Sequence, residues 1–144
     1  MRLYKSGTGW CVWRWTITDS EYITRLHIFK TLLNAVCLHW INKPDREPCL
    51  HDHPVTFFSI ILRGGYTEER IVNGVYSQRT HRWFNFIRAS PLDQHRIIHV
   101  RPNTLTLVFM GPKKREWGFH TPSGWVHWKD YYTKQRAEKQ GGGR

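Results

Sequence analysis

Cys49-Leu50-His51-Asp52-His53-Pro54-Val55-Thr56-Phe57-Phe58-Ser59-Ile60-Ile61-Leu62-Arg63-Gly64-Gly65-Tyr66 is the most informative segment of the chain. It is an apolar, strand-like run that opens on two histidines and closes on paired glycines. Side chains alternate faces along a strand, so His51 and His53 share a face and Asp52 takes the opposite one. Two imidazoles on one face at this spacing can grip a single metal ion. The glycine pair predicts a turn, with Tyr66 to Val72 returning as the second strand of a hairpin. On that reading Glu68 falls beside Ile60, and neither Glu68 nor Glu69 counts as a ligand.

A third histidine, His95, opens the strand His95-Arg96-Ile97-Ile98-His99-Val100 and would complete the site. Neutral imidazoles suit several divalent transition metals, so the ligand set points to Fe, Zn, Ni or Mn without choosing among them. Three protein ligands leave positions open for water or a small molecule. His99 lies four residues beyond His95 on the same strand face, and His39 sits on a strand of its own; both are candidate pocket residues. Arg88, just before the turn that presents His95, is a candidate for holding an anionic group. Arg96, next to His95, is expected to point away. Cys49 has the parity of a ligand but follows Pro48, which leaves metal binding and plain packing both open. No catalytic residue and no cofactor-binding motif is assigned: the chain has neither a glycine-rich phosphate loop nor a serine nucleophile elbow.

Outward from this stretch the chain is strand after strand. Trp10 to Ile17, Tyr22 to Phe29 and Asn34 to Ile41 are rich in aromatic and β-branched residues, and Ala35, Cys37, His39 and Ile41 share a face. Asn42 to Pro48 is a polar loop punctuated by prolines. Asn73-Gly74 is the strongest hairpin signal. Pro102-Asn103 turns the chain into Thr104 to Met110. Trp117 to His120 and Trp125 to Trp128 form a final pair around Pro122-Ser123-Gly124, and a short helix is expected near Lys129. Many short strands joined by Gly and Pro turns predict an all-β sandwich or barrel. Residues 1–134 read as one domain and residues 135–144 as a polar, flexible C-terminal tail.

The 144 residues carry 22 Lys+Arg against 11 Asp+Glu, a formal charge of +11. The excess favours anionic partners: a small anionic molecule or a nucleic acid, with Lys113-Lys114-Arg115 the densest basic run. Three cysteines, an odd number, argue against a disulfide framework and for a reducing compartment, so a cytoplasmic location is expected. No apolar run approaches the roughly 20 residues of a membrane helix, so no membrane partner is expected. A homodimer is compatible with the sequence.

The His51-x-His53 pair followed by Gly65, and the Pro91-to-His95 turn, resemble the two motifs of the cupin superfamily. The ordered series His51 to Pro54, Gly64 to Glu68, His95-Arg96, Trp117 to Phe119 and Gly124-Trp125 resembles a group of small cupin-like proteins of tailed bacteriophages and prophages. The resemblance spans about residues 20–132. It implies a single-domain antiparallel β-barrel or jelly roll, and a host-cytoplasm location if phage-encoded. The superfamily usually places a ligand glutamate about five residues after the second histidine, where this chain has Phe58. The implied site is therefore His51, His53 and His95 alone, similar to the ligand set of thiol dioxygenases. It implies Fe(II)-dependent dioxygenase-type chemistry. The competing reading is a basic phage accessory module that binds nucleic acid or protein, with a structural metal or none.

Overall fold

The structure, a computed structural model, describes residues 16–31 and 33–141. The Trp10–Trp15 portion of the first expected strand lies outside the described residues. In chain order the strands are β1 (Thr16–Asp19), β2 (Ile23–Lys30), β3 (Ala35–Ile41), β4 (Leu50–His51), β5 (Val55–Arg63) and β6 (Gly65–Val72). There follow β7 (Val75–Arg82), β8 (Phe86–Ala89), β9 (Gln94–Val100), β10 (Thr104–Lys113), β11 (Gly118–Thr121), β12 (Gly124–His127) and the helix α1 (Trp128–Gly141). They form two six-stranded sheets, in the orders β1-β2-β3-β10-β5-β8 and β12-β11-β4-β9-β6-β7. The described pairings are all antiparallel.

The sheets face each other as a sandwich and do not close into the barrel expected from the sequence. Closure needs ladder hydrogen bonds between edge strands. Three of the four edges here (β1, β8 and β12) are only four residues long. The fourth, β7, presents mostly exposed side chains.

The second departure is at the glycines. β5 belongs to the first sheet and β6 to the second, so Arg63-Gly64-Gly65 is a corner between sheets, not a hairpin turn. Gly65 has φ +141°, and a Cβ there would lie 2.3 Å from the His81 carbonyl oxygen. Its N–H donates to Thr104 Oγ1 at 2.9 Å. The corner turns Tyr66, Glu68 and Arg70 toward the interior, where all three are buried. The Asn73-Gly74 hairpin forms as read, with φ of 50° and 76°, the positive pair that a two-residue turn requires.

Between the layers, Ile41, Ile61, Tyr66 and Ile87 form the buried core, with Ile23, Ile97 and Val100 against it. Truncating a fully buried Ile such as Ile61, 0% exposed, costs about 2–5 kcal/mol. The alternation on β3 holds: Ala35, Cys37 and Ile41 face in, with His39 between them in register. The helix continues through Gly141, into the segment read as a polar tail. Its first turns pack Tyr131 on Phe119, ring centroids 4.1 Å apart, and Trp128 on Trp117 at 5.8 Å. Tyr131 also donates to the buried Glu47 at 3.2 Å. This ties down the Asn42–Pro48 loop, which Asp45 joins to β9 through the Ile97 N–H at 2.8 Å.

Candidate metal centre

Three elements of the second sheet's end deliver three imidazoles to one point. His51 ends β4 and stands in register opposite His95 of β9. His53 follows in the irregular link by which the chain leaves the second sheet for the first. One ring nitrogen from each lies within 4.8 Å of the others. Ring centroids are 4.7 Å apart for His51 and His95, 4.8 Å for His53 and His95, and 5.2 Å for His51 and His53.

Asp52, between the two ligands, points the other way and fixes the link. It is fully buried and accepts from the Gly118 N–H at 2.8 Å and Trp125 Nε1–H at 2.9 Å, with Arg115 at 3.0 Å. A carboxylate held by that many donors does not swing, so the two flanking imidazoles are aimed by their own backbone.

Behind His95 stands a buried charge network. Glu68, 1% exposed, accepts from His95 Nδ1–H at 2.7 Å through one oxygen. Its other oxygen takes His81 Nε2 at 2.9 Å and Arg70 Nη1 at 3.2 Å. Arg70 Nη2 continues to Asp93 at 2.8 Å and to the Arg88 carbonyl at 2.9 Å. Burial, the largest single effect, would raise the Glu68 carboxyl. The hydrogen bonds from His81 and His95 and the Arg70 charge together outweigh it and hold the acid ionised, well below its usual range. An ionised carboxylate on Nδ1 puts the His95 proton there and turns the Nε2 lone pair inward, the orientation that metal-bound histidines are given by an outer carboxylate. That Nε2 lies 2.6 Å from His53 Nε2.

Burial holds the other two rings neutral. Burial, then the nearby His95, pushes His51 down to about 3. Burial with His95 and His51 beside it drives His53 well below the ordinary range. Metal ligands must be unprotonated, and the Nε2 atoms of His53 and His95, hydrogen-bonded at 2.6 Å, are placed so that a cation can take the position of the proton between them. The donor set therefore fits a transition metal.

A cavity of about 280 Å³ adjoins the trio. Its second-sheet wall carries His51, His53 and His95; its first-sheet wall carries Arg25, His39, Ser59 and Thr106 among apolar neighbours.

No family model and no curated protein sequence matches the chain. Solved structures do. KdgF from Halomonas sp. superposes with a TM-score of 0.55 at 15% identity, over 69% of this chain and 89% of that one. A protein described as a putative mannose-6-phosphate isomerase from Ralstonia eutropha gives 0.57 at 12%, over 65% and 87%. Hydroxypropylphosphonic acid epoxidase from S. wedmorenis gives 0.53 at 9%, over 67% and 54%. The epoxidase has also been solved as Fe(II)-HppE with an alternative substrate. The chain shares its two-sheet fold with these proteins.

Within this fold the sequence-predicted residues separate. His51, His53 and His95 come together, and His39 lines the cavity. His99 does not. The β6–β9 ladder pairs Glu68 with Ile97 but Thr67 with His99, so Ile98 is an extra residue, a β-bulge. The bulge reverses the parity, and His99 is exposed. Arg88 lies outside the cavity too: it is exposed, in register with the outward Phe58, and borders a separate open groove of about 740 Å³. Arg96 lies on the outer face, on Glu69 at 2.5 Å. Cys49 Sγ is near Tyr131 Oη, at 3.8 Å, and takes no part in the trio.

Glu68 is the residue that sequence reasoning set aside and the structure places against His95. The hairpin reading sent it down the wrong sheet. The signal was in the chain: Glu68 and Arg70, two charges at strand spacing with Tyr66, on a strand where one face had to be buried.

Proposed function

We propose that this chain binds one divalent transition metal through His51, His53 and His95 and presents it to a small molecule in the adjoining cavity. The observation that carries the reading is the convergence of three imidazoles, with an ionised carboxylate on the outer nitrogen of His95. Three neutral ligands would leave coordination positions free for a ligand from the cavity. The ligand set does not choose the metal; with Fe(II) bound, the free positions would have room for both a substrate and oxygen, the reaction class that the resemblance implies. A bound ion there supplies Lewis acidity and, if it is iron, redox capacity.

The chain's own groups have three tasks in this scheme. Asp52 holds the link between His51 and His53 rigid. Glu68 fixes the His95 tautomer. Ile23, Ile41, Val108 and Met110 give the cavity an apolar lining that limits water near the reacting centre.

The test is elemental analysis of protein made without a histidine tag, before and after loading with Fe(II), Zn(II), Ni(II) or Mn(II). About one ion per chain is expected, falling to background in His51→Ala and His95→Ala variants that retain the wild-type circular dichroism. Background occupancy of wild-type protein by all four metals would overturn the proposal.

The alternative basic module rests on the charge of +11. The densest basic run, however, is partly used internally. Lys113 pairs with Glu116, and Arg115 is spent on Asp52 and over the Trp125 ring at 5.6 Å. A salt-dependent nucleic-acid affinity in a chain that binds no metal would favour the module instead.

A further inference from the structure

The first-sheet wall of the cavity has a feature that metal binding does not require. Arg25 of β2 stands opposite His39 of β3, and His39 opposite Thr106 of β10. The three make one polar rung across the inner face of an otherwise apolar sheet, and all three line the cavity. Among the described residues Arg25 has no ion-pair partner. The other cation of the cavity, Lys43, is taken by Glu21. His39 Nε2 is buried with no hydrogen-bond partner. His27, next along the same face, is not available to it, since its Nδ1 lies 3.0 Å from Cys37 Sγ.

Buried polar groups in folded proteins are paired, and unpaired ones call for an explanation. A guanidinium set in an apolar wall without a carboxylate is costly unless something from outside neutralises it. Both groups line this cavity together with the three histidines.

We infer that Arg25 and His39 form the recognition subsite for a small organic carboxylate. The Arg25 fork would take the two carboxylate oxygens, and His39 Nε2 would bond a neighbouring polar atom of the same ligand. This inference rests on the proposed metal reading only for what lies at the ligand's other end. A planar carboxylate matches the two parallel N–H groups of a guanidinium. A cavity of about 280 Å³ is at the small end for ligand sites, which favours a compact acid over a nucleotide. Arg25 is unremarkable in the sequence, the one charged residue between Tyr22 and Phe29.

The experiment is calorimetric and NMR titration of the full-length chain with acetate, succinate, the neutral isostere acetamide and inorganic phosphate. It is run on metal-loaded and metal-stripped protein, with metal content measured on each sample. The expected result is carboxylate binding well above that of acetamide, weakened tenfold or more in Arg25→Met and severalfold in His39→Leu, with metal content unchanged. Arg25→Lys keeps the charge and loses the fork; it serves if Arg25→Met does not fold, and should weaken binding severalfold. Acetamide binding as well as acetate, or unaltered carboxylate affinity in the Arg25 variants, overturns the proposal. Phosphate binding with no carboxylate binding overturns it in favour of a phosphoryl ligand. Carboxylate binding that depends on Arg25 in a protein that takes up no metal sinks the metal reading and leaves this one standing.

Discussion

The two walls of the cavity are built on opposite plans. On the second-sheet wall the groups behind the histidine trio are largely matched: His95 to Glu68, Glu68 to His81 and Arg70, Arg70 to Asp93. On the first-sheet wall His39 Nε2 is buried without a hydrogen-bond partner, and Arg25 has no ion-pair partner among the described residues. A satisfied buried network is rigid, because every rearrangement breaks a charge-assisted bond. An unsatisfied pair stores the opposite property, a standing affinity for whatever completes it. Folding satisfies the second-sheet wall except for Arg70 Nε, and on the proposed reading a ligand satisfies the first-sheet wall. Substitutions on the two walls should therefore change stability with opposite signs.

The largest effect should come from Glu68. Replacing it by Leu leaves Arg70 buried beside two histidines that have lost their acceptor. Removing one partner of a buried ion pair costs about 3–5 kcal/mol, read as a fall in the urea midpoint. Glu68→Gln preserves shape and part of the hydrogen bonding, so it should fold better than Glu68→Leu. It should still weaken metal binding by about 10–100-fold, because His95 loses the charge that orients it. Wild-type metal affinity in Glu68→Gln would mean that the network supports the fold alone.

Acid should act next, and on both walls at once. His39 and His51 each lie at about 3 in the fold, chiefly through burial, against an unfolded value near 6.5. The unfolded chain therefore binds protons that the folded one refuses. The stability this represents is present above about pH 6.5 and is lost as pH falls toward 3, by about 1.4 kcal/mol per pH unit for each histidine. Near pH 5 the loss is about 2 kcal/mol per ring. Denaturant midpoints of metal-free protein measured between pH 7 and 5 check this. His39→Leu should remove one histidine's share of the slope. A midpoint independent of pH over that range would mean that the rings are not held neutral.

His39→Leu also gives the comparison its sharpest form, because the sign of its effect at neutral pH is opposite to that of Glu68. Leu replaces an orphaned polar atom by an apolar group of similar size in an apolar wall. Leaving a buried polar atom unsatisfied costs about 1–3 kcal/mol, so part of that should be recovered. An increase of about 1 kcal/mol in unfolding free energy at pH 7.5 is expected. Destabilisation instead would show that His39 has a partner in solution and that the two walls do not differ in kind.

Much of this was legible from residues alone, and the illegible parts share a cause. His51 and His53 could be put on one face because strand alternation is local, and β3's inward set (Ala35, Cys37, Ile41) followed from the same rule. Asn73-Gly74 announced its hairpin by turn chemistry that needs no tertiary context. Which sheet a strand joins after a glycine corner is not local. Gly64-Gly65 permits a hairpin and a crossing equally well, and only the seat of Gly65 against Thr104 and the His81 carbonyl decides between them. Glu68 was misplaced for that reason. Barrel closure was likewise undecidable, since it depends on edge strands meeting and not on any one strand's pattern. On β2 the alternation did not mark the inward face, which is the one carrying Arg25, in register with His39.

The smallest predicted effect tests the same point at a single position. His95 and His99 are indistinguishable by parity in a regular strand, and only the extra residue Ile98 separates them. The bulge sends His95 to the trio and leaves His99 on the surface opposite Thr67. Exposed substitutions away from special features change stability by about 0.5 kcal/mol or less. His99→Ala should accordingly leave the urea midpoint and the metal content unchanged, while His95→Ala abolishes metal uptake. The pair of variants isolates the bulge, since both remove one imidazole from one strand. If His99→Ala lowers metal content as His95→Ala does, β9 runs without its bulge in solution. His99 would then belong to the cavity, and the second-sheet wall would carry one more histidine than the structure gives it.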